Sequence, residues 1–292
     1  MPIELTLTPS TLGVLNVYPI EFARHFGVRA FVTDRSGGVS PTPYDSLNLG
    51  DHVGDEPANV LENRRRVADA IGVDANRLVI INQVHGRNVV NANEATPDSS
   101  GDVIVDFGDG FAVAVLIADC LPILLVDEDS PTLAVVHAGW RGLESNVIES
   151  ALAHFEHHDA VHAFLGPSIS GAAYQVGPDV AEHFAKVPGA LAPDAGDRSR
   201  LDLRAVAVAQ LLALGITEGH LTLASQVTDG GAPFFSDRAT VSYTHLDVYK
   251  RQRTDGSTPL PTANRSASGV TMSSRASSNR YDVTSSVAAT LT

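Results

Sequence analysis

Three side chains of this 292-residue sequence have the chemistry to hold a metal ion or to activate a nucleophile: His85, Cys120 and His137. A thiolate and two imidazoles are soft to borderline donors, a set suited to zinc or copper with a fourth position open for water or substrate. The same types also suit a metal-free hydrolase, with Cys120 as nucleophile and His137 as base. Their separations, 35 and then 17 residues, match no local zinc-finger pattern. Spacing alone therefore leaves a third reading open, a packed core cysteine with two strand-end histidines bonded to backbone. Cys120 is the lone cysteine, so no intramolecular disulfide is possible and a reducing, cytoplasmic compartment is expected.

Other polar groups stand near these three. In His137-Ala-Gly-Trp-Arg-Gly142 the glycines let backbone approach a ligand closely, and Arg141 offers a planar fork suited to phosphate. Leu165-Gly-Pro-Ser-Ile-Ser-Gly171 follows an apolar run, and the backbone around Gly166 could present N–H groups to an anion. For both segments the competing reading is a tight turn, which packs Trp140 and exposes Arg141 in the first case. Asn48, between two leucines, is a candidate polar contact in a packed segment, and Arg64 is the one residue of Arg64-Arg-Arg66 on the apolar side of its helix. Asp119, beside Cys120, reads as a hydrogen-bonding brace, and His154, His157 and His158 as a solvated helix end.

The elements that must position these groups alternate between strand-like and helix-like. Residues 78–81, 111–117, 123–126, 133–136 and 161–165 are short apolar runs that read as buried strands. His85, Cys120 and His137 all lie where such a run gives way to a loop, the usual place for a site. A helix capped by Asp55, with Pro57 in its first turn, is expected up to Gly72, and another from Asp202 to Gly215. Shorter helices are expected over 146–155 and 179–184. The five residues 127–131 are too few for a right-handed crossover and predict an antiparallel hairpin. The fold class is therefore α+β, one domain with mixed, largely antiparallel sheets flanked by helices.

The chain divides near residue 240. From Arg253 to the end, 16 of 40 residues are Ser or Thr with no sustained apolar period, a composition that builds no core. Three acidic and six basic residues follow Thr240, so against −14 for the chain the first 240 residues carry −17. Residues 1–240 are expected to be the catalytic domain and 241–292 a disordered or non-native tail. The acidic body argues against nucleic acid or an anionic membrane as partner. No basic leader precedes an apolar stretch and no apolar run spans a bilayer, so a soluble protein is expected, monomeric or a small homo-oligomer.

In order along the chain, Arg35-Ser-Gly-Gly-Val-Ser40, Ser46-Leu-Asn-Leu-Gly50, Val53-Gly-Asp55, Asn63-Arg64, Gln83-Val-His-Gly86, Ala118-Asp-Cys-Leu-Pro122, His137-Ala-Gly-Trp-Arg-Gly142, Leu165-Gly-Pro167 and Tyr174-Gln-Val-Gly177 resemble a bacterial family. That family was first described as polyphenol oxidase (laccase) and later as purine nucleoside phosphorylase, and includes laccase-domain-containing proteins of animals. The resemblance implies a metal held by His85, Cys120 and His137, zinc with copper as the alternative. It implies phosphorolysis of adenosine, inosine, guanosine and methylthioadenosine, and hydrolytic deamination of adenosine. Purine nucleosides and phosphate are then the partners, and Asn48, Arg64, Gln83, Arg141 and Gly166 the candidate substrate-binding residues. A multicopper laccase needs further copper ions, usually on His-x-His pairs, and none of the 11 histidines forms one. The chain departs from the family after Phe234-Phe-Ser-Asp-Arg238. Ala224-Ser-Gln-Val-Thr-Asp229 lacks the family's cysteines, and residues 241–252 resemble a junction sequence that recurs in assembled environmental reads.

Overall fold

The computed structural model describes residues 2–230, 233–240 and 285–291. Two strands set its plan. Leu121–Asp127 and Leu133–Ala138 are buried at every position, so each packs on both faces. Leu121, Ile123 and Leu125 join one apolar cluster, and Leu124 and Val126 join another. Leu133–Ala138 divides in the same way, with Ala134, Val136 and Ala138 on the first side and Leu133 and Val135 on the second. Full burial of such a side chain contributes roughly 1.5–3 kcal/mol, which is why near-continuous apolar runs end up between two layers. The two strands form the expected hairpin, with Leu133 opposite Val126 and Ala138 opposite Leu121.

The hairpin lies within a seven-stranded sheet in the order Ile3–Leu5, Leu221–Ala224, Val161–Leu165, Leu121–Asp127, Leu133–Ala138, Val103–Asp106, Val89–Asn91. A six-stranded sheet follows the order Ser10–Leu12, Leu15–Pro19, Val28–Thr33, Ser285–Leu291, Ala112–Ile117, Leu78–Val79. A small three-stranded ribbon completes the set. Most pairings are antiparallel, with parallel exceptions such as Val161–Leu165 beside Leu221–Ala224. The fold is therefore α+β with mixed, largely antiparallel sheets.

Four layers result. Val113, Val115 and Ile117 of the six-stranded sheet pack in the same cluster as Leu124 and Val135 of the seven-stranded sheet. On its outer face Ala112, Ala114 and Leu116 meet Val67 and Ile71 of the helix Pro57–Ile71. The helices Trp140–Glu144, Val147–Leu152 and Leu203–Ala213 cover the outer face of the seven-stranded sheet. No described helix is long and apolar enough to cross a membrane.

Several expectations need correction. The helix expected from Asp55 begins at Pro57, and the Asp55 side chain instead accepts from Glu56 N at 2.8 Å and from Asn48 Nδ2 at 3.0 Å. Asp202 does cap its helix, accepting from Arg204 N and Ala205 N. Trp140–Glu144, for which a tight turn was the competing reading, is a short helix that starts directly after Gly139. The break at 118–120 carries the chain from one sheet to the other, because Ala112–Ile117 and Leu121–Asp127 belong to different sheets. The tail expected outside the fold supplies seven residues to it. Ser285–Leu291 runs antiparallel to both Val28–Thr33 and Ala112–Ile117. A gap between two strands orders a short segment whose composition signals nothing by itself. The rest of 241–292 lies outside the described residues.

Candidate functional site

Cys120 stands on the link where the chain changes sheets, and His137 is the penultimate residue of Leu133–Ala138, opposite Pro122. His137 shares a strand face with Leu133 and Val135, which face the second sheet, so its ring enters the gap between sheets beside Cys120. His85 arrives from a turn after Leu78–Val79. Its Nε2 lies 3.9 Å from Cys120 Sγ, and its ring centroid is 4.8 Å from that of His137. Gly139 makes room for this approach, since a Cβ there would lie 3.1 Å from Cys120 Sγ and 3.1 Å from His85 Cδ2.

Asp102 organises the cluster. Fully buried, it accepts from His137 Nδ1 at 2.8 Å and from the successive backbone N–H groups of Val84 (3.3 Å), His85 (2.9 Å) and Gly86 (2.6 Å). The three amides form a concave nest around the carboxylate. The nest accounts for the left-handed backbone of His85, φ 57°, which non-glycine residues rarely adopt. With Nδ1–H donated to Asp102, His137 turns Nε2 toward Cys120, the arrangement that carboxylate partners impose on metal-binding histidines. Asp119, at φ 88°, is braced as expected, accepting from Thr228 Oγ1 at 2.6 Å and Arg238 N at 2.7 Å.

The electrostatics follow from this geometry. Burial alone would raise the Cys120 thiol. The charge of His137, with hydrogen bonds from His137 and His85, outweighs burial and brings it down to about 6. Burial alone would lower His137, yet the Cys120 charge and the Asp102 bond push it up to about 9. Burial likewise opposes ionisation of Asp102, but the His137 and Gly86 bonds hold its carboxyl below the usual range. The Cys120 and His137 shifts both favour a thiolate beside a protonated imidazole, with the Asp102 carboxylate behind it.

The donor set fits a transition ion. The ligand atoms of His85, Cys120 and His137 all lie within 4.8 Å of one another. A tetrahedral zinc with ordinary bond lengths separates sulfur from nitrogen by about 3.6 Å, close to the 3.9 Å between Cys120 and His85. The cluster forms part of the wall of a cavity of about 230 Å³, also lined by His52, Trp140, Arg141, Tyr174 and Arg238. Arg141 lies 4.4 Å over the Trp140 ring and makes no ion pair with any described residue.

The other candidates divide. Gln83 lines the cavity, but its amide exchanges two 2.7 Å bonds with the backbone of Leu116, tying the His85 turn to the six-stranded sheet. Asn48, Arg64 and Gly166 are not among the lining residues. Fully buried Asn48 bonds Gly50 and Asp55, and Arg64 holds Leu49 O at 2.9 Å and Asp51 at 3.2 Å. Both shape the segment from which His52 reaches the cavity. Gly166 donates to Pro122 O, and a Cβ there would lie 2.7 Å from Pro122 Cγ. The N–H groups of Ile169 and Ser170 go to Asp119 O and Asp229, so this turn does not offer the anion nest expected of it. The sequence did not mark His52, Tyr174 and Arg238 as cavity groups, nor Asp102 as the carboxylate behind His137. For Asp102 the available signal was a carboxylate directly before the apolar run Val103–Val105.

The family described as multi-copper polyphenol oxidoreductase laccase matches residues 29–244. A purine nucleoside phosphorylase of Corynebacterium glutamicum is 38% identical over 242 residues, covering 80% of this chain and 93% of the relative. One from Mycobacterium tuberculosis is 41% identical over 196 residues, covering 65% and 78%. The crystal structure of a Neisseria meningitidis protein of the DUF152 family superposes with a TM-score of 0.71 at 29% identity, covering 91% of this chain and 94% of that one. YlmD from Geobacillus stearothermophilus shares the fold with a TM-score of 0.76 at 23% identity, covering 98% of each.

Proposed function

This chain belongs to the family described as multi-copper polyphenol oxidoreductase laccase, and from that premise we propose that it is a purine nucleoside phosphorylase working at one zinc ion held by His85, Cys120 and His137. The substrates are adenosine, inosine, guanosine and methylthioadenosine, with hydrolytic deamination of adenosine as a second reaction. The supporting observation is the convergence of two imidazoles and a thiolate on a cavity that also holds an arginine without a carboxylate partner among the described residues. Relatives named purine nucleoside phosphorylase supply the substrate class.

In phosphorolysis a phosphate oxygen bonds to C1′ of the ribose as the bond from C1′ to the purine nitrogen breaks, and the base leaves with that electron pair and a proton. Charge spreads over the sugar, so placement of phosphate matters most. Arg141, propped on Trp140, receives the dianion through its two-pronged fork. Tyr174, on the same cavity wall, provides an aromatic surface for the purine. Asp102 holds His137 and the His85 turn in place. Zinc, when bound, supplies Lewis acidity and can lower the pKa of water toward neutrality, as deamination requires.

A second reading has an observation of its own. The chain Asp102–His137–Cys120 has the order of an orienting carboxylate, a base and a nucleophile, which suits a metal-free hydrolase. Full-length protein purified without added metal separates the two. Phosphate-dependent release of hypoxanthine from inosine should vanish on chelation and return with zinc. Activity indifferent to chelators but abolished by thiol alkylation would favour the hydrolase.

A further inference from the structure

The seven-stranded sheet carries a second group of metal-ligand types at its other end. Glu128 directly follows Leu121–Asp127, the strand that Cys120 precedes, so the two residues are about 26 Å apart along the chain. Asp127 pairs with Val161, and the next residue, His162, lies beside His220, because Ala163 pairs with Leu221. Three adjacent strands thus bring Glu128, His162 and His220 to one end of the sheet. We propose that these three residues form a second site for a divalent transition ion, distinct from the Cys120 centre.

The ligand atoms of the three residues all lie within 4.8 Å of one another. Glu128 Oε2 is 3.1 Å from His162 Nε2. The two imidazoles are stacked, centroids 3.8 Å apart and 19° from parallel. A second, independent observation points to a ligand: His220 Nδ1 is buried and has no hydrogen-bond partner among the described residues. A buried imidazole nitrogen with no partner is costly, and a metal ion is a partner that the surrounding protein does not provide. Sharing one ion requires the stacked rings to fan apart by rotation of a ring, and His220 Nδ1 has no hydrogen bond that would resist this. Phe26, 4.5 Å from the His162 ring, packs on its apolar side. The acidic balance of the chain favours a cation over an anion here.

Two imidazoles and a carboxylate suit zinc, cobalt or nickel and lack the sulfur of the first centre. That difference is the test. Metal-stripped full-length protein is titrated with cobalt(II), following the visible d–d bands and the near-ultraviolet thiolate charge-transfer band. The expected result is uptake of two equivalents per chain, only one of which carries the charge-transfer band. Glu128→Gln and His220→Gln should each remove the equivalent without charge transfer and leave the other. One equivalent without charge transfer would sustain this site while counting against the Cys120 centre. Saturation at one equivalent with charge transfer, a second equivalent unaffected by both substitutions, or a second equivalent bound only in the millimolar range would overturn the proposal.

Discussion

Replacing Asp102 with Asn tests whether one buried carboxylate builds the site. Asp102 accepts four hydrogen bonds, two on each oxygen: His137 Nδ1 and His85 N on Oδ1, Gly86 N and Val84 N on Oδ2. An amide has one oxygen, so two of those donors must face an NH₂ group. If NH₂ faces the turn, the nest around His85 loosens. If it faces His137, the imidazole must accept at Nδ1, which moves its proton to Nε2, the nitrogen needed as ligand. Either way at least one charge-assisted bond is lost, about 2 kcal/mol, which corresponds to roughly 30-fold in affinity. Substitution of carboxylates behind metal-bound histidines typically costs about 10–100-fold, in the same range. Zinc affinity is measured at neutral pH by competition with a chromophoric chelator, with thermal unfolding of the metal-free variant as a control for folding. A variant that folds and binds zinc within about twofold of wild type would refute the role given to Asp102.

Arg141→Ala should reduce phosphorolysis by about two orders of magnitude, mostly through the KM for phosphate, from loss of about 2–3 kcal/mol of charge-assisted bonding. Adenosine deamination without phosphate should change far less, Arg141→Lys should recover part of the loss, and equal losses in both reactions would contradict a phosphate role. A chain ending at Arg238 loses Ser285–Leu291 and leaves Val28–Thr33 and Ala112–Ile117 unpaired along facing edges. It should melt lower and aggregate in size-exclusion chromatography, and a soluble monomer of unchanged stability would show the strand to be dispensable. Asp106 is fully buried, Oδ1 has no hydrogen-bond partner among the described residues, and burial raises its pKa. The folded state therefore binds a proton more readily than the unfolded chain, and stability falls as pH rises through the carboxylate range. Asp106→Asn should stabilise the protein by about 1 kcal/mol at pH 7, or about 2–4 °C in Tm. The gain should disappear in acid, and equal effects at both pH values would contradict this reasoning.

Much of this architecture was legible because burial on both faces writes a plain signal. Residues 123–126 and 133–136 read as unbroken apolar runs inside what are the strands Leu121–Asp127 and Leu133–Ala138, and the hairpin between them followed from the length of its turn. Asp202 marked its helix through ordinary capping chemistry. Which sheet each strand joins was not legible, since Ala112–Ile117 and Leu121–Asp127 look alike in composition yet lie in different layers. The proximity of His85, Cys120 and His137 came from ordered motifs, not spacing, because tertiary packing closes gaps of 35 and 17 residues. Asp102 gave only a faint local sign, a carboxylate directly before an apolar run, because its partners are a distant ring and three backbone amides. At Gly166 the sequence leaves the role open, because a glycine needed for packing on Pro122 looks the same as one needed for an anion.

The most direct test of the central claim is the steady-state rate of inosine phosphorolysis by wild type and Cys120→Ala, each purified without added metal and shown to be folded. Cys120 Sγ is the sulfur donor of the candidate centre and also lines the cavity. Wild type should release hypoxanthine in a phosphate-dependent reaction, and the rate should fall by at least about two orders of magnitude in the variant. A folded wild-type protein with no phosphorolysis, or a Cys120→Ala variant as active as wild type, would contradict it.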